Sequence, residues 1–171
     1  MNIANLPRRS LAVAALLCLC AAGPLGAVEP GSAAPAFSLP TAKGDALALT
    51  SLRGKVVYVD FWASWCGPCR RSFPWMNDMQ QKYGAKGFTV VAVNVDKKRA
   101  DADRFLGQNP ANFPVVFDES GATPAAYAVK GMPSSYLIDA RGNVSYVERG
   151  FQDENKAGLE ARIVALLAAR A

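Results

Sequence analysis

The chain is 171 residues long, 51% apolar and 19% charged, with a formal net charge of +5, four cysteines and no histidine. That is one domain's worth of sequence with apolar material enough for a packed core, and too ordered a composition for a disordered tail. Without histidine there is no Ser-His-Asp or Cys-His pair and no His-containing zinc or haem site, so chemistry must run on cysteine, carboxylate or backbone.

Residues 1–27 have the features of a secretory signal peptide. Arg8 and Arg9 precede an unbroken apolar run of twelve residues, Leu11 to Ala22, and Gly23-Pro24 breaks it before the small residues Gly26 and Ala27. A basic start, a short apolar middle and a small-residue exit make that pattern, and the run is short of the ~20 residues a membrane span requires. The alternatives are an uncleaved membrane anchor or lipidation at Cys18 or Cys20, although both cysteines follow leucine. Cleavage after Ala27 removes those two cysteines and two arginines, leaving Cys66 and Cys69 and 17 basic against 14 acidic residues, a net charge of +3. So small a charge does not argue for a nucleic-acid surface. The compartment implied is oxidising and extracytoplasmic.

Residues 28–36 are rich in Pro, Gly, Ser and Ala and read as a linker. Phe37–Leu39 and Leu47–Leu49 alternate around Lys43-Gly44-Asp45, which predicts a hairpin. Val56 to Trp62 is a nearly continuous apolar run, expected of a central strand covered on both faces. A helix is predicted from Cys66 to Tyr83, stopped by Gly84, followed by a valine-rich strand from Phe88 to Val95. Residues 99–107 read as helix, Val115–Phe117 as a short strand with Phe113-Pro114 as a loop anchor, and Thr123–Val129 as a short helix. Ser135–Ile138 and Val144–Glu148 read as strands around the turn Asp139–Asn143. From Asp153 the spacing of Ala157, Leu159, Ile163, Val164, Leu166 and Leu167 suits a closing amphipathic helix. The order implies an α/β sandwich with a mixed sheet, residues 37–171 forming the domain. Asp101, Asp103 and Asp118 lack the spacing of a calcium loop and read as helix-cap and surface residues.

The chemistry concentrates in Cys66-Gly67-Pro68-Cys69. Haem attachment would need a histidine after the second cysteine, where Arg70 stands, and a structural zinc site would need two further ligands. Copper held by two thiolates stays open, with Met132 as the one further soft ligand. The redox alternative has positive support. The pair follows a buried strand and opens a helix, where backbone N–H groups and the helix dipole favour a thiolate on Cys66. Pro68 suits the first helical turn. Cys66 is then the attacking thiolate, Cys69 the resolving thiol inside the helix, and Asp60, the one acid in the neighbouring apolar strand, the candidate acceptor of the Cys69 proton.

The segment Val59 to Cys69 is very similar to the active-site segment of the thioredoxin superfamily, and the resemblance extends over most of the chain after residue 36. It implies a three-layer thioredoxin-like sandwich around a central mixed sheet. Pro74 falls where that family kinks its helix, and Gly131-Met132-Pro133-Ser134 resembles its cis-proline loop, which faces the cysteine pair. Asp60 matches the family's buried aspartate, whose usual lysine neighbour is replaced by Ala92. The N-terminal hairpin and an insertion before Pro133 resemble the TlpA/ResA-like branch of extracytoplasmic thiol–disulfide oxidoreductases. Many members of that branch carry glutamate where this chain has Ser72.

The resemblance implies a Cys66–Cys69 redox disulfide, with Trp65, Gly67, Pro68, Met132 and Pro133 lining the substrate site and no cofactor or metal. The expected activity is reduction of disulfides in extracytoplasmic proteins, since Gly-Pro between the cysteines is thioredoxin's own dipeptide. The partners implied are those proteins and a membrane thiol electron donor. No nucleic-acid partner is expected, and membrane contact only through an uncleaved N-terminus. The rival expectations are a disulfide oxidase or isomerase of the same fold and, in a different class, a copper-binding delivery protein without turnover.

Overall fold

The structure, a computed structural model, describes residues 28–170. The signal peptide expected over residues 1–27 lies outside the described residues. A hairpin of β1 (Ser38–Pro40) and β2 (Ala46–Ala48) is followed by β3 (Val56–Trp62), α1 (Gly67–Tyr83) and β4 (Phe88–Asn94). Then come α2 (Arg99–Gln108), β5 (Val115–Phe117), α3 (Ala122–Ala126), β6 (Ser134–Ile138), β7 (Val144–Arg149) and α4 (Lys156–Ala168). The main sheet runs β5-β4-β3-β6-β7, with β3, β4 and β5 parallel and β6 and β7 antiparallel additions. It is the mixed sheet of a thioredoxin-like fold.

Every residue of β3 and β4 is buried, because both strands lie inside the sheet with cover on both faces. Alternate residues feed two cores. Val56, Tyr58 and Trp62 pack with Phe73 and Met76 of α1, Phe105 of α2, and Leu159 and Ile163 of α4. Val57, Val59 and Phe61 pack on the opposite face with Phe37, Leu49, Tyr127 and Tyr136. The hairpin covers part of this second face and joins the sheet edge through a Thr41–Val116 bridge. Between β4 and Pro133 lie α2, the edge strand β5 and α3. Phe113 anchors its loop against Phe73, at 5.6 Å between ring centroids.

Four expectations change. Residues 28–36 are seated on the domain instead of linking to it: Val28 is buried, the Gly31 amide donates to the Val144 carbonyl at 2.8 Å, and Ala34 N–H donates to Gly142 at 3.0 Å. The turn between β6 and β7 supplies acceptors that a composition-based reading of a Pro/Gly/Ala stretch has no means of seeing. Leu49 leaves the hairpin and opens a 3₁₀ turn, Leu49–Leu52. In α4 only Leu159 and Ile163 are buried, and Val164 is exposed, since one stripe alone meets the sheet. Asp118, expected as a helix-cap and surface residue, accepts the Thr123 amide at the start of α3 but from a buried position.

Candidate active site

The cysteine pair sits where β3 hands over to α1. Ala63 to Trp65 turn the chain out of the sheet, and the Cys66 N–H donates to the Ala63 carbonyl at 3.0 Å. Cys66 is the N-cap of α1, in extended conformation (φ −83°, ψ 103°), and its Sγ accepts the Cys69 amide at 3.2 Å. A sulfur at this position faces the unpaired N–H groups of the first turn, which favour negative charge. Pro68 occupies that turn without costing a hydrogen bond. Cys66 and Cys69 form a disulfide with Cα atoms 5.3 Å apart. Cys66 is 4% exposed and Cys69 fully buried, while neighbouring Trp65 is 71% exposed. Trp62 is the opposite case, entirely buried and stacked edge-on against Phe73 at 5.0 Å.

The turn before Cys66 is pinned from the segment just past β4. The Asp96 carboxylate accepts the Ser64 amide at 2.9 Å, the Ser64 hydroxyl at 3.0 Å and the Asn94 side-chain amide at 2.8 Å. Sequence reasoning missed this anchor, whose partner lies 32 residues away. A visible signal existed: an acid closing a valine-rich strand beside a Ser-Trp-Cys turn.

Asp60 faces the core that holds both cysteines, being on the same side of β3 as Tyr58 and Trp62. It is fully buried. Its neighbour on β4 is Ala92, so no lysine stands at that register position. On the other side lies Ser135 of β6, whose hydroxyl donates to Asp60 Oδ1 at 2.6 Å. Among the described residues Oδ2 has no hydrogen-bond partner. Burial raises the Asp60 pKa to about 7, against the smaller opposing effect of the Ser135 hydroxyl. A carboxyl group with this environment titrates near neutrality and can take up or release a proton at physiological pH.

The register continues to Glu148 of β7, opposite Ser135. Glu148 is buried and accepts from the Tyr146 hydroxyl and the Asn155 side-chain amide, each at 2.7 Å. Neither Ser135 nor Glu148 was singled out from the sequence. Each shares its strand with other polar residues, Ser134 in β6 and Ser145 and Arg149 in β7, so neither stands out until β6 is known to lie beside β3.

The Met132–Pro133 bond is cis. Met132 packs against both cores, including the one that holds the cysteines. Ser134 Oγ donates to the Gly131 carbonyl at 2.7 Å and Gly150 N–H to the Pro133 carbonyl at 2.8 Å, so both ends of the loop are tied down. Ser72, in place of the glutamate common in the branch, is buried and donates to the Cys69 carbonyl at 3.0 Å. Gly67 is exposed and Pro68 half-buried beside the sulfurs. No group of three His, Cys, Asp or Glu able to hold a metal occurs among the described residues.

The Redoxin family model matches residues 29–163. The chain belongs to the Redoxin family. Relatives include the thiol-disulfide oxidoreductase ResA of Geobacillus thermodenitrificans, 37% identical over 124 residues, covering 72% of this chain and 71% of that protein. ResA of Bacillus subtilis is 35% identical over 128 residues, covering 75% of this chain and 72% of that one. Among solved structures, a Chlorobium tepidum protein described as a thiol:disulfide interchange protein DsbE superposes with a TM-score of 0.80 at 55% identity. The match covers 82% of this chain and 99% of that one. The Redoxin segment starts at Glu29, inside the stretch that the structure seats on the β6–β7 turn.

Proposed function

We propose that this Redoxin-family thiol–disulfide oxidoreductase is an exported reductase of disulfides in extracytoplasmic proteins. The observation that carries the reading is a cysteine at the cap of α1 with its partner buried in the same core as an acid that titrates at about 7. The reduced enzyme begins with Cys66 as thiolate. It attacks one sulfur of a substrate disulfide, forming a mixed disulfide and expelling the first substrate thiolate. Cys69 then passes its proton to Asp60, which makes a thiolate inside a core that otherwise disfavours one. That thiolate attacks Cys66, closes the Cys66–Cys69 bond and expels the second substrate thiolate. The substrate gains two electrons, and a membrane dithiol donor restores them to the enzyme.

Trp65, Gly67 and Pro68 form the rim over which the substrate lies. The Met132 backbone, which makes no backbone hydrogen bond among the described residues, pairs with an extended substrate segment beside Pro133. The apolar run before residue 28 supports export. Among the described residues no helix is long and apolar enough to cross a membrane.

Two measurements test the reading. Equilibration against glutathione should give a reduction potential near the thioredoxin end of the scale, ~−270 mV, and a value near ~−120 mV would make the protein an oxidase. In stopped-flow turnover of a disulfide peptide, Asp60→Asn should slow release of the mixed disulfide by about a hundredfold at pH 7 while leaving attack by Cys66 unchanged. Unaltered release would remove Asp60 from the proton path.

A further inference from the structure

Resting on that reading, we propose that the substrate segment is acidic: the rim around the disulfide selects disulfides flanked by aspartate and glutamate. Two clefts are built on the segments that carry the site, one on the residues that bracket the cysteine motif, Trp65 and Arg70, the other on the cis-proline loop. The first, of about 180 Å³, is bounded by exposed Trp65 and lined by Arg70 and Arg104. Arg70 lies over the buried Phe105 ring, 5.9 Å from its centroid, which directs the guanidinium along this wall. The one acid in the lining, Asp101, pairs with Arg104 at 3.3 Å.

The second cleft, of about 330 Å³, is built on the cis-proline loop and lined by Lys130, Met132, Pro133 and Arg149, with no acid among its lining residues. Arg149 stands opposite Ser134 in the β6–β7 pairing, next to Pro133, and both cations are exposed. Glu29 approaches Arg149 at 3.8 Å from outside the lining. Four cations against Asp101 leave the two clefts with a net charge of +3, or +2 with Glu29 included.

A segment joined to Cys66 and extended along the cis-proline loop advances about 3.3 Å per residue. The side chains two to four residues from the substrate cysteine are then carried about 7–13 Å along the rim, towards the cations of the two clefts. Like charges brought into such a rim raise the cost of encounter, and opposite charges raise the association rate, an advantage that salt screens.

The test uses the full mature chain, reduced, and two quenched-fluorescence peptides with the same internal disulfide, one flanked by Asp and Glu and the other by Lys and Arg. At low ionic strength the acidic peptide should be reduced about tenfold faster, and in 1 M salt the two rates should converge to within about twofold. The exposed double variant Lys130→Glu/Arg149→Glu should remove or invert the preference, and Arg104→Glu provides a second variant on the opposite cleft. Equal rates at low salt overturn the proposal while leaving the reductase reading intact. A preference that survives both high salt and charge reversal overturns it as well. Co-sedimentation with anionic lipid vesicles and no difference between the peptides would assign the charge to a membrane surface and overturn it. Reduction of neither peptide would remove the reductase reading itself.

Discussion

Asp60, midway along β3, and Asp118, just past β5, are both buried by the fold. Burial raises the pKa of each, yet the results are opposite. Asp60 has one donor, the Ser135 hydroxyl, and ends at about 7. Asp118 accepts the Ser120 hydroxyl, the Gly121 amide at 2.9 Å and the Thr123 amide at 2.7 Å. Those bonds outweigh desolvation and hold its pKa below the usual carboxylate value. Depth and the number of donors together separate a carboxylate that braces a turn from one poised to exchange protons. The active site is the place where the fold withholds donors: Ala92 offers nothing on one side of Asp60 and Ser135 a single hydroxyl on the other.

The largest effect should come from removing the Asp60 charge. Its folded pKa, about 7, lies above the ordinary aspartate value of 3.8, so the native state holds the proton more tightly than the unfolded chain does. Stability must then decline as pH rises through that window, by on the order of 4 kcal/mol in total. Asp60→Asn abolishes the decline. In urea unfolding of the disulfide-bonded protein the variant should exceed its parent by up to that amount at pH 8, with little difference at pH 4. Parallel curves across the range would show that Asp60 is not desolvated as described.

Asp118 should behave in the reverse sense. Because its pKa is lowered, its contribution is present above the unfolded pKa and disappears as acid protonates the native carboxylate. Asp118→Ala strands the Gly121 and Thr123 amides and should cost about 2–3 kcal/mol at pH 7. The disulfide chemistry should be untouched. A loss of thiol–disulfide exchange rate without a loss of stability would put Asp118 in the mechanism and break the contrast with Asp60.

How far these two residues were legible in the sequence follows from how their environments are built. An acid within Val56–Trp62 is conspicuous because its strand is apolar throughout, and the adjacent cysteine pair assigns it a task. Nearly every element was readable for the same reason: β3, β4 and α1 carry strong local periodicity and clear stops. Asp118 was misplaced because its three donors lie in a turn whose geometry depends on Gly121 at φ 80°. Ser135, Glu148 and Asp96 were missed because each acquires its meaning from strand order, which brings residues tens of positions apart into one row. The segment 28–36 failed likewise, its hydrogen bonds being supplied by a turn more than a hundred residues later.

The smallest predicted effect is the most discriminating, because it alters the donor count and leaves both carboxylates in place. Ser135→Ala removes the hydroxyl that opposes desolvation of Asp60. A hydrogen bond to a charged group contributes roughly 1.5–3 kcal/mol, part of which is also lost by the protonated acid, so the Asp60 midpoint should rise by about one pH unit. The pH at which mixed-disulfide release reaches half its maximum should rise with it, while attack by Cys66 stays constant. Ser135→Thr, which restores a hydroxyl, should return the midpoint. A merely structural serine would lower stability without moving the profile. An unchanged midpoint in Ser135→Ala would mean that burial alone sets the Asp60 proton affinity, and donor count would no longer explain why it differs from Asp118.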